Sequence, residues 1–110
     1  MVKTLVYESE KIAEIYVADN FITRFLGFMF RKNPHHEALL ITPCNSIHTY
    51  FMRFPIDVLF INENMEVVKK IEGFKPGKVI LPQHRSKMVI EGREGMFKNI
   101  KEGNTLILQS

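Results

Sequence analysis

The sequence predicts a strand-dominated α+β fold, and three observations carry that reading. Short runs of β-branched and aromatic residues recur along the chain, most of them bounded by turn residues. One segment, around residues 21–29, has the apolar spacing of a helix. The runs follow one another as hairpins rather than alternating with helices, which favours mostly antiparallel pairing in a barrel-like sheet. At 110 residues the chain is expected to form a single domain, 1–110, around one core.

Thr4 to Tyr7 and Ile12 to Val17 read as a hairpin around Glu8-Ser9-Glu10, a turn without the usual Gly or Asn. Asp19-Asn20 offers an N-cap for the main helix, whose apolar positions are Phe21, Ile22, Phe25, Leu26 and Met29. Gly27 interrupts that helix at a cost of about 1 kcal/mol relative to Ala, which marks close packing against its backbone. Pro34 ends the segment, and Asn33-Pro34-His35-His36 is a loop. Ala38 to Ile41 reads as a short buried strand that stops at Pro43, and Ile47 to Met52 as another strand.

Beyond Pro55, Ile56 to Ile61 is the most apolar strand of the chain, with Glu66 to Ile71 returning as its hairpin partner through Asn62-Glu63-Asn64-Met65. Gly73 to Lys78 is a loop, Val79 to Leu81 and Met88 to Glu91 are strands, and Glu94 to Ile100 is a short helix or turn. Thr105 to Leu108 closes the chain as a strand.

Composition narrows the function classes. Hydrophobic content of 45% and charged content of 25% belong to a globular protein, not a disordered or fibrous one. The net charge of +3 is mildly basic, but the fifteen Lys and Arg run from Lys3 to Lys101 with acidic residues between them. A mixed, solvated surface is therefore expected, without a nucleic-acid partner. One cysteine makes no internal disulfide. The N-terminus lacks a signal-peptide pattern, and no apolar run approaches the roughly 20 residues of a membrane span. A cytoplasmic location without a membrane partner is the expectation. No cofactor motif and no zinc-type ligand spacing stand in the chain, so neither cofactor nor metal is expected.

The chemistry concentrates between Cys44 and Asp57. A Cys44–His48 nucleophile pair oriented by Asp57 is conceivable, but nothing like an oxyanion-hole motif accompanies it, and a lone cysteine is commonly a small buried hydrophobe. Cys44, His48 and Met52 would suit copper(I), yet methionine beside aromatics more often fills a core. Arg24, Asp57 and Glu91 are charges set against apolar runs. Such charges are usually paired, because an isolated buried charge costs several kcal/mol. They read equally well as an ion-pair network and as the polar lining of a cleft.

Arg24-Phe25-Leu26-Gly27-Phe28-Met29 resembles the Arg-x-x-Gly-Leu-Met signature of the DUF192 family, with Phe28 in place of Leu. Ile47-His48-Thr49-Tyr50-Phe51-Met52, followed by Ile56 to Ile61, is similar to that family's central motif. Lys75-Pro76-Gly77-Lys78 and Val89-Ile90-Glu91-Gly92 resemble its later elements, although Gly92-Arg93-Glu94-Gly95 departs from the common Pro-Ala-Gly. The resemblance runs from about Ala18 to Leu108 and implies a small, strand-rich, single-domain protein, without assigning a reaction. Carried over by position, it points to Arg24, Gly27, His48, Met52, Asp57 and Glu91.

The two lines together predict a binding domain for a small polar or anionic ligand. Its cleft would be lined by Arg24, His48, Thr49, Asp57 and Glu91, with Phe51 and Met52 as apolar walls and Gly27 in a structural role. The alternatives are an enzyme with His48 as general acid–base oriented by Asp57, and an interaction module that adds an exposed strand to a partner.

Overall fold

Period-two alternation in the first eighteen residues builds the expected hairpin. β1 (Val2–Tyr7) and β2 (Glu10–Ala18) pair antiparallel, with Leu5, Ala13 and Ile15 buried. Glu8 and Ser9 both take positive φ, 51° and 68°. That is the left-handed setting a tight two-residue hairpin turn needs, reached here without Gly or Asn.

The computed structural model describes residues 2–18, 37–50 and 52–110. Within them the chain forms nine strands and no helix. After the hairpin come β3 (Ala38–Ile41), β4 (Ile47–His48), β5 (Ile56–Ile61), β6 (Val67–Phe74), β7 (Val79–Ile80), β8 (Met88–Arg93) and β9 (Ile107–Gln109). Seven of them form one sheet in the order β6-β5-β8-β3-β2-β1-β9, in which β2 and β3 run parallel and the other pairs antiparallel. β4 and β7 pair separately as a small two-stranded layer.

The large sheet curls until its edges meet at one end. Glu66, just before β6, bridges Thr105, just before β9. Around that bridge Val67 N donates to Asn104 O (2.9 Å), Gly103 N to Val67 O (2.8 Å) and Leu106 N to Met65 O (2.9 Å). Leu5 and Val67, from opposite sides of the sheet, belong to one buried cluster with Ile15, Leu59, Ile90 and Phe97, and this marks the concave face. A second cluster on the convex face joins Leu39, Val58, Phe60 and Val89 to Ile47, Met52 and the half-buried Ile80 of the small layer. β5 is buried along its whole length because it supplies side chains to both clusters.

The α+β class is overturned by this architecture: the described residues are a curled, strand-dominated half-barrel. Glu94 to Ile100, read as a short helix or turn, is a succession of turns closed by Met96 N to Arg93 O, Lys98 N to Gly95 O and Ile100 N to Phe97 O. Gly95 sits there at φ 88°, outside the right-handed helical region, so no helix continues through it. The main helix read at Phe21 to Met29 lies outside the described residues, as do Arg24, Gly27, His35-His36 and Phe51. The strand read from Ile47 to Met52 shortens to Ile47–His48.

Candidate functional site

Asp57 is 1% exposed and fully committed to the backbone. Its Oδ1 accepts from Gly73 N and its Oδ2 from Gly95 N, each at 2.8 Å. Both glycines have positive φ, 61° and 88°, so the carboxylate locks two left-handed bends that few other residues adopt cheaply. Gly73 lies in the β6 bulge, where the register with β5 shifts between Ile56 and Val58. Gly95 opens the turns that carry Phe97 and Ile100 into the concave core. Asp57 thus clamps β6 and the turn segment to β5.

Thr49 is a second backbone hub. Its N donates to Lys78 O (2.8 Å), its Oγ1 donates to Lys75 O (2.7 Å), and that hydroxyl receives Lys78 N (2.8 Å). Its carbonyl receives Met52 N (3.2 Å) and Gly77 N (2.9 Å). Pro76-Gly77, with Gly77 at φ 79°, turns the chain around this hub. Every polar group of Thr49 is used in joining residues 47–52 to 75–78.

His48 stands opposite Val79 in the β4–β7 pair, while the neighbouring pair, Ile47 and Ile80, packs on the convex face. Strand alternation turns His48 away from that core. Its ring stacks on Tyr50 with centroids 5.2 Å apart, and its buried Nδ1 has no hydrogen-bond partner among the described residues. Asp57 therefore does not hold that nitrogen. Met52 is core filler beneath the layer. The Cys44 thiol donates to Ser46 O at 2.9 Å.

Glu91, like His48, has a buried atom without a hydrogen-bond partner among the described residues, but here it is a carboxyl oxygen, Oε1, within the large sheet. The residue lies in the middle of β8, opposite Leu39 of β3 and Val58 of β5, both buried and both on the convex face. It is 3% exposed. Burial pushes its carboxyl from the ordinary 4.5 up to about 7, since an ionised oxygen there has lost water and meets no counter-charge among the described residues. Near neutral pH it is divided between a donor-bearing acid and an accepting carboxylate.

The expected cleft is thus split among three places. Asp57 pairs with Gly92 and Glu91 with Val58, so successive positions of one strand pair put the two carboxyls on opposite faces of the sheet. His48 belongs to the layer over the convex face, turned outward. Among the described residues no group of three His, Cys, Asp or Glu side chains is placed to hold a metal.

Two residues that sequence reasoning passed over matter to this frame. Lys70, legible only as half of the Lys69-Lys70 pair, is nearly buried and donates from Nζ to Phe97 O (2.6 Å) and Ile100 O (2.7 Å), fixing the end of the turn segment. Gly92 leaves room for that segment: a Cβ there would lie 2.7 Å from Phe97 Cζ and 2.8 Å from Met96 Sδ. The signal for Lys70 was its place in an alternating strand, on the same face as Leu59.

The edges of the large sheet bear on the strand-addition alternative. The outer side of β6 is partly covered, with Val67 N and Lys70 N donating to Asn104 O and Glu102 Oε2. β9, at the other edge, is three residues long. Little free ladder is left for a partner strand.

Comparison with known proteins places the chain. Residues 4–108 match the model of DUF192, described as an uncharacterized ACR. The UPF0127 protein PF1050 of Pyrococcus furiosus is 41% identical over 90 residues, covering 77% of this chain and 76% of that protein. The UPF0127 protein PH1112 of Pyrococcus horikoshii is 37% identical over 105 residues, covering 88% of this chain and 90% of that protein. The crystal structure of a protein of unknown function from Novosphingobium aromaticivorans shares the fold, with a TM-score of 0.78 at 19% identity over 97% of this chain and 84% of that one. With nearly its whole length matched, this chain belongs to the DUF192 family.

Proposed function

We propose that the protein is a small cytoplasmic binding domain that takes a compact polar ligand at Glu91, beneath the β4–β7 layer. The observation that carries the reading is the buried Oε1 of Glu91, which has no hydrogen-bond partner among the described residues. A buried polar atom left without a hydrogen bond costs on the order of 1–3 kcal/mol, so a group kept in that state calls for a use. Asp57 and Thr49, buried in the same fold, have their oxygens bonded to the backbone. Glu91 would accept from a hydroxyl or an amine, and the walls would come from Leu39 and Val58 on its own face of the sheet and from Ile47 and Met52 in the segment packed over it. Entry requires the β4–β7 layer to move aside as a unit, its two segments joined by their register pairs and by the Thr49 hub.

A thermal-shift screen with small polyols, amino acids and polyamines tests this, using the wild type and Glu91→Gln. A ligand at a hundredfold excess over its Kd adds about 2.7 kcal/mol of stability. At least one class should raise the wild-type melting temperature, with its Kd weakened tenfold or more in the variant. Equal shifts in both proteins, or none in either, would contradict the reading.

A further inference from the structure

The outer side of the β4–β7 layer carries an observation that the Glu91 site does not use. Residues 43–55 and 75–87 are remote in sequence but stitched together by the Thr49 hub, by Cys44 N to Lys87 O (3.0 Å) and by Gln83 N to Asn45 O (2.7 Å). Between them they hold five of the fifteen Lys and Arg (Arg53, Lys75, Lys78, Arg85, Lys87) and none of the twelve Asp and Glu. The rest of the chain carries ten cations against twelve acids, so the positive balance of the molecule resides in this layer. All five cations are exposed, and none forms an ion pair with a described residue.

Apolar side chains share this outer face. Leu81 is 73% exposed, Val79 51% and Tyr50 48%, three of the five large hydrophobics exposed among the described residues. They are neighbours: Val79 pairs with His48, Tyr50 stacks on the His48 ring, and Leu81 follows Val79 by two positions. The layer therefore spends apolar side chains of its inner side on the core and leaves three more exposed, in the same two segments that carry the five exposed cations.

We propose that this outer face docks on the surface of a membrane rich in anionic phospholipid, its three apolar side chains entering the headgroup region and its five cations meeting the lipid phosphates. Charge complementarity selects an anionic partner and disfavours a second copy of the same cationic face. Leu81 and Val79 decide between anionic partners. Aliphatic side chains gain by entering the acyl boundary and gain little against a sugar–phosphate chain, where exposed aromatics would be the stacking platform. The proposed association is peripheral: the face enters the headgroup region and goes no deeper.

Flotation of the full chain with phosphatidylcholine vesicles, with and without a third of phosphatidylserine, tests the proposal. Binding should require phosphatidylserine and weaken as salt is raised. It should fall at least tenfold both in Lys75→Gln/Lys78→Gln/Arg85→Gln and in Leu81→Ser. These side chains are exposed, so unchanged melting temperatures will show that the variants fold. Lack of binding to the phosphatidylserine vesicles at low salt, or equal binding to pure phosphatidylcholine, would overturn the proposal. So would unchanged binding by Leu81→Ser, or tighter binding to a single-stranded oligonucleotide than to vesicles in the same buffer.

Discussion

Replacing Asp57 by Ala should lower stability by about 3–5 kcal/mol, since two hydrogen bonds to a charged acceptor are lost and each contributes about 1.5–3 kcal/mol. The amides released, Gly73 N and Gly95 N, belong to two left-handed bends that Asp57 ties to β5. The loss should therefore propagate into the β6 bulge and the turns carrying Phe97 and Ile100, both wholly buried. Asn is no substitute. Its one carbonyl oxygen satisfies a single amide and its NH2 faces the other, donor against donor, so Asp57→Asn should recover less than half of the loss. Denaturant unfolding of the three proteins checks the ranking. Near-wild-type stability in Asp57→Ala would remove the clamp from the account.

Glu91 should make the wild type less stable as pH rises from about 4.5 to 7. The folded carboxyl, at about 7, holds its proton more tightly than the unfolded one at 4.5, so the native state carries the extra proton between those values. The stabilising contribution is complete below 4.5, declines as the pH climbs through the folded value, and is gone above it. At about 1.4 kcal/mol per pH unit the decline sums to about 3 kcal/mol. Glu91→Gln removes the ionisation, so its stability relative to the wild type should improve by about 3 kcal/mol across this window. Arg93, two residues along β8 and on the same face, is exposed and pairs with no described acid, and Tyr16 lies one strand further out, opposite Leu39. Arg93 therefore does not offset the buried charge. Chemical unfolding at several pH values measures the slope, and equal slopes in the two proteins would contradict it.

Burial patterns explain which parts of the fold the sequence showed. β5 was legible because five apolar residues in six successive positions, buried on both faces, leave no alternative to a central strand. β3 was legible for the same reason. The segment from Ile47 to Met52 has strand composition, yet Thr49 bonds its side chain into the 75–78 turn and ends the strand at His48. At Gly95, a positive φ imposed together with the Asp57 clamp replaces the short helix by turns.

The candidate site was legible one residue at a time. Asp57 and Glu91 both stand beside apolar runs, and both are buried. What composition could not supply was register: Asp57 opposite Gly92 and Glu91 opposite Val58 send the two carboxyls to opposite faces. A one-residue offset between paired strands, invisible in either strand alone, separates a clamp from an open carboxyl. The acid-free layer was hidden in the same way, since its two segments are interleaved with acidic stretches along the chain and meet only in the fold, through the β4–β7 pairing and the Thr49 hub.

A crystal structure of the protein soaked with a mixed library of small hydroxyl- and amine-bearing metabolites tests the central claim most directly. The account predicts ligand density on the convex face, with a ligand oxygen or nitrogen at hydrogen-bond distance from Glu91 Oε1. Both Glu91 oxygens bonded to side chains of the protein, with no library member beside them, would contradict it.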